Sequence, residues 1–186
     1  MNIPELIKEA HGNTVERGFY PEGKEQNIGE KLMLIVSELG GALEAHRCGR
    51  FSLKNETTHF VTMFTLDNVE KDHIWISEFE SKIEDTFEDE IADVFIRLFD
   101  LCGYFGIDRL QKIYTSTDKF RNVGESLYNI VTSLPLDGGS GFGDAIFRTY
   151  SKLINLCEHM NIPIEKHIKA KMAYNRTRPH KHGKEY

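Results

Sequence analysis

The sequence predicts an all-α protein, and three observations carry that expectation. Apolar residues recur at three-and-four spacing along most of the 186 positions, glycine or proline stands just beyond most of these runs, and one pair of helical segments recurs later in the chain. Residues 3–20 read as an amphipathic helix, with Ile3, Leu6, Ile7, Ala10 and Val15 near helical spacing and Gly18 and Pro21 ending it. Asn27 caps a longer helix from Ile28 to about Arg47, whose stripe runs through Leu32, Ile35, Val36, Leu39, Ala42 and Leu43 before Gly49 stops it. Residues 51–80 read as an insertion of open form, because FVTMFTL and HIWISEF are rich in β-branched and aromatic residues and suit short strands or further helix. From about Thr86 to Gly106 the helical pattern returns through Ile91, Val94, Phe95, Leu98, Leu101 and Cys102. Helices over roughly 122–134 and 142–161 follow, separated by the breaker PLDGGSG, and Pro163 opens a last helix from about Ile164 to Thr177.

Composition narrows the class. With 40% hydrophobic residues, the chain is expected to bury one core as a single domain over 1–186. No apolar run is long enough to span a bilayer and the start MNIPELIKEA lacks a signal peptide's basic-then-apolar layout, so a cytoplasmic protein without a membrane partner is expected. Cys48, Cys102 and Cys157 are an odd number without a CxxC pair and are expected to be reduced, mostly buried thiols. A net charge of −6 argues against a stable nucleic-acid partner, since neutralising phosphates needs an excess of Lys and Arg. Only the C-terminal helix and tail, 164–186, are locally basic.

The repeat is specific. Residues 27–39, NIGEKLMLIVSEL, align without a gap on 122–134, NVGESLYNIVTSL, with seven of thirteen positions identical. FEDEIADVFIRLFDLCGYFGI (87–107) aligns on FGDAIFRTYSKLINLCEHMNI (142–162), keeping Phe, Asp, Ile, two Leu, Cys and Ile in register. The halves, about 27–107 and 122–162, are expected to pair their stripes in a pseudo-twofold four-helix core. The differences point to chemistry. Glu38 aligns with Ser133, Glu90 with Ala145 and Asp93 with Arg148, so three acids belong to one copy alone.

Glu90 and Asp93 stand three apart on a helix and project from one face, where like charges repel unless a hard cation lies between them. Glu38, within the apolar stripe of the other helix, is placed to join them. Lys171, Asn175 and Arg178 are spaced four and three apart and offer charged and amide donors to phosphate oxygens. Trp75, the only tryptophan, would stack on a base or anchor the insertion, the anchor being the favoured reading. His180 and His182 are read as part of a mobile tail rather than as phosphate or metal donors.

Three blocks, NIGEKLMLIVSELGGALEAHR (27–47), EDEIADVFIRLFDL (88–101) and KMAYNRTRPHKHGK (171–184), resemble the MazG-like nucleotide pyrophosphohydrolases. The resemblance implies an all-α MazG-like helical bundle, here with an internally duplicated helix pair, and hydrolysis of a nucleoside triphosphate between the α- and β-phosphates. It implies Mg²⁺, with Mn²⁺ an alternative, held by Glu38 as the first acid of an ExxE motif and by Glu90 and Asp93 as an ExxD pair. These three would carry catalysis, and Lys171, Asn175 and Arg178 would bind the substrate. Gly41 stands where the family has its second ExxE acid, and Glu44 falls about 240° round an ideal helix from Glu38. A Gly41→Glu substitution is therefore expected to restore the motif without disturbing the fold, and a relative that binds nucleotides without turnover is the alternative. Family members with one helix pair per core dimerise, so a homo-oligomer is compatible, although a duplicated chain can serve as its own partner.

Overall fold

The computed structural model describes residues 1–22, 25–52, 73–111 and 120–180. Among them are seven helices and no strands: α1 (Ile3–Glu16), α2 (Ile28–Arg47), α3 (His73–Lys82), α4 (Phe87–Tyr104), α5 (Val123–Val131), α6 (Phe142–His159) and α7 (Ile164–Thr177). No helix among the described residues is long and apolar enough to cross a membrane. The expected insertion is helical where it is described, since HIWISEF opens α3; residues 53–72, which include FVTMFTL, lie outside the described residues.

α4 is the hub, packing against α1, α2, α6 and α7. Its sequence explains this: Ile91, Ala92, Val94, Phe95, Leu98, Phe99, Leu101 and Cys102 are all buried, so apolar side chains cover far more than one stripe. α2 buries Leu32, Ile35, Leu39 and Ala42 against it, whereas Val36 is half-buried and Leu43 is exposed. α1 ends earlier than the periodicity suggests, at Glu16, because Gly18 turns left-handed at φ +82; Val15 faces solvent.

The two copies of the repeat share their local devices. Asn27 caps α2 by accepting from the Glu30 amide, and Asn122 caps α5 by accepting from the Glu125 amide. α4 and α6 both start at the aligned phenylalanine and run 18 residues. Each then closes with a left-handed residue, Gly106 or Asn161, and an amide donating five residues back, Ile107 to the Cys102 carbonyl and Ile162 to the Cys157 carbonyl. α2 packs on α4 and α5 on α6 within the copies, and α2 on α5 and α4 on α6 between them.

A second, smaller core holds α7 in place. Trp75 stacks on Phe79, Phe79 stacks on Tyr174, and Ile83, Ala170 and Ala173 complete the cluster. Trp75 is 1% exposed, as an anchor should be. The C-terminal segment is docked: Arg17 donates to the carbonyls of Arg176 and Arg178, Arg176 pairs with Glu9 at 2.7 Å, and the His180 ring lies directly against Gly18. His180 thus differs from the mobile tail expected of it, while His182 lies outside the described residues.

Candidate functional site

Glu38, Glu90, Asp93, Lys171, Asn175 and Arg178 line one cavity of about 210 Å³ between α1, α2, α4 and α7. Each arrives by a local rule. Thr86 caps α4 by accepting from the Asp89 amide, so Glu88, Asp89 and Glu90 fall in the first turn, where free amides and the helix dipole favour negative charge. Glu90 and Asp93 then face the cavity from one side of α4, and Glu38 faces it from α2. Arg178 is the C-cap of α7, in extended conformation at ψ 152, and reaches the cavity from beyond the helix end rather than along its face.

The acids are not equivalent. The Glu38 Oε1 accepts from Arg97 Nη2 at 3.0 Å and Nε at 3.2 Å. Asp93 meets the Lys171 ammonium at 3.0 Å, and the same ammonium lies 2.6 Å from Asp89, which is only 2% exposed. Burial pushes the Asp89 carboxyl up, against the pull of Lys171; Lys171 stays protonated because Asp93 and Asp89 together outweigh the effect of its own burial. Glu90 alone has no hydrogen bond or ion pair to its side chain among the described residues. Its carboxyl is pushed up to about 7 by burial first, then by the charges of Asp93 and Glu38, with Lys171 partly offsetting them.

Gly41 explains how Glu90 is seated. A Cβ on residue 41 would stand 2.5 Å from Glu90 Oε2 and 2.6 Å from its Cδ, so the glycine supplies the space that this carboxylate occupies. Glu44 is exposed, pairs with Arg47 at 2.7 Å and accepts from the Cys48 thiol, well away from the cavity.

Among the described residues, no three carboxylate, imidazole or thiol groups stand together as a ready metal site. Lys171 and Arg97 occupy positions beside Asp93 and Glu38 where a cation would bind. Two observations still fit a divalent ion: Glu90 makes no ion pair among the described residues and the charges of Asp93 and Glu38 outweigh the influence of Lys171 on it, and the buried Asp89 Oδ1 has no hydrogen-bond partner among the described residues. All the oxygen donors are carboxylates, the hard ligands that Mg²⁺ takes.

Sequence reasoning missed several residues here. Asp89 immediately precedes the ExxD pair, and its counterpart Asp144 in the second copy makes it read from sequence as a shared, structural position. Arg97 carried no signal beyond lying four residues after Asp93. Asn13 and Thr14 of α1 and Arg17 at its C-cap line the cavity too, as do Glu84 and Asp85 at the α3–α4 turn. Asp85 adopts a left-handed backbone at φ 60, and its amide donates to Asp89 at 3.2 Å.

In the second copy two of the three matching positions are buried and the third, Arg148, is exposed. Ala145 and Ser133 are buried there, and the Ser133 hydroxyl hydrogen-bonds Thr149 at 3.1 Å. The chain matches no protein-family model, no curated protein and no solved structure.

Proposed function

We propose that this cavity hydrolyses nucleoside triphosphates between the α- and β-phosphates with Mg²⁺, as in the MazG-like bundle that the sequence resembles, and releases pyrophosphate. The observation that carries the reading is the convergence of six residues, chosen from sequence, on one cavity with acids on α2 and α4 and cationic or amide donors at the end of α7. Glu38, Glu90 and Asp93 would hold the cation, which when bound supplies Lewis-acid polarisation of phosphate and a more acidic water. Lys171 fixes the Asp93 carboxylate by sharing it with Asp89. Arg178 and Asn175 present donors to phosphate oxygens. Before a cation binds, burial and the charges of Asp93 and Glu38 push the Glu90 carboxyl up to about 7, so it is the acid whose strain a bound cation would relieve.

A second reading, binding without turnover, draws on the glycine at 41 and on the internal cations already beside Asp93 and Glu38. A panel of nucleoside triphosphates with Mg²⁺, scored for pyrophosphate, separates the two. Release that Glu90→Gln abolishes supports hydrolysis. Binding of the same nucleotides with no release selects the second reading, and absence of both removes the nucleotide assignment.

A further inference from the structure

Two of the side-chain cations that line the cavity are paired with its acids, and the structure distinguishes them sharply. Lys171 cannot leave. Its side chain is 6% exposed, and moving the ammonium would strand Asp89, itself 2% exposed, as an unpaired buried charge. Arg97 is under no such constraint: its side chain is 28% exposed, that of Glu38 is 19% exposed, and both line the cavity.

The contact itself is incomplete. Arg97 directs both Nε and Nη2 at one oxygen of Glu38, so the pair lacks the two parallel bonds of a fork-to-fork arrangement. Arginine's planar donors match a phosphate as well as a carboxylate. A dication taken up by Glu38 would cancel the charge that holds the guanidinium there and repel it. The phosphate chain arriving with that cation brings new negative charge into the same cavity, within reach of a side chain four residues along α4 from Asp93.

We propose that Arg97 is a polyphosphate-binding residue of this cavity, stored on Glu38 until a divalent cation and a phosphate chain displace it. The inference rests on the metal-dependent reading above and adds a phosphate-binding residue which that reading does not include. It also gives Arg97 a second effect, as a brake on metal binding, because its charge offsets that of Glu38 until Arg97 moves.

Calorimetric titration of the full chain tests both effects, with Mg²⁺ alone and with tripolyphosphate in the presence of Mg²⁺. For Arg97→Gln, Mg²⁺ is expected to bind several-fold more tightly, since Glu38 is no longer countered, and tripolyphosphate about tenfold or more weakly, the scale of one lost charge-assisted hydrogen bond. Arg97→Lys, which keeps the charge without the fork, is expected to fall between Arg97→Gln and the native chain and serves in place of the glutamine variant should that one fail to fold. Unchanged tripolyphosphate affinity in both variants, with Mg²⁺ uptake normal, overturns the assignment of Arg97 and leaves the metal site standing. Absence of any Mg²⁺ uptake that Glu90→Gln removes overturns the metal-dependent reading, and the proposal with it.

Discussion

A glycine at position 41 reads from sequence as a missing acid, whereas the structure shows it as the seat of another one. The Glu90 carboxylate fills the volume that any side chain at 41 would need. Because the atoms met are the far end of a glutamate, Gly41→Ala is tolerated by rotating Glu90 away, and the helix gains about 0.5–1 kcal/mol from losing an internal glycine. Gly41→Ala is therefore expected to melt at or slightly above the native temperature while binding Mg²⁺ more weakly, because Glu90 no longer points where it did. Gly41→Glu, expected from sequence to repair the motif with the fold undisturbed, instead forces a further carboxylate against Glu90, Asp93 and Glu38. Its metal-free melting temperature should fall, with recovery only on adding Mg²⁺. Thermal melts with and without Mg²⁺ check both, and a Gly41→Glu protein as stable as the native chain without metal would contradict this account.

At the scale of elements, α4 gathers the molecule, and its lower half shows how. Asp100 is 6% exposed and is held by three partners from other segments: His11 at 2.8 Å, the Tyr20 hydroxyl at 2.8 Å and the Lys31 ammonium at 3.1 Å. Lys31 also lies 4.1 Å over the Tyr20 ring, and Gly103 leaves room for His11 to lie against α4. The cluster ties α1, the segment after it and α2 to one carboxylate. Asp100→Ala leaves Lys31, 14% exposed, as an uncompensated charge, and a loss of about 3 kcal/mol or more is expected in chemical denaturation. A loss below about 1 kcal/mol would mean that the cluster is surface decoration.

These examples also separate what the sequence made legible from what it did not. Both ends of α2, the close of α4 and the start of α5 are readable because Asn27, Gly49, Gly106 and Asn122 act through local backbone geometry. The acids on α2 and α4 stood out because the second copy lacks them. The polar positions of α1 looked like a solvent face, and only the packing of α7 against α1 turns Asn13, Thr14 and Arg17 inward to the cavity. Arg97 and Asp100 were hidden for the same reason: their partners lie 59 and 69 or more residues away in sequence.

Across the whole molecule, the acid cluster sets function against stability. The folded chain holds Glu90 beside Asp93 and Glu38 with its carboxyl near 7, above its ordinary value of 4.5. A group raised on folding favours the native state most when protonated, so this contribution is present below about pH 4.5 and is lost as pH rises through 7. Allowing for screening of a half-buried group, the loss is about 1–2 kcal/mol by pH 8. Glu90→Gln keeps the shape without the charge. Without metal at pH 8 it should melt above the native chain, and the difference should shrink toward pH 5. Adding Mg²⁺ reverses the order: an ion at a hundred times its dissociation constant stabilises the state that binds it by about 2.7 kcal/mol, and only the native chain retains the full set of acids. Melts of the two proteins at pH 5 and pH 8, each with and without Mg²⁺, give the readout. Equal stabilisation of both by Mg²⁺ would place the ion elsewhere, and a Glu90→Gln chain less stable than native at pH 8 without metal would show that Glu90 holds the fold rather than straining it.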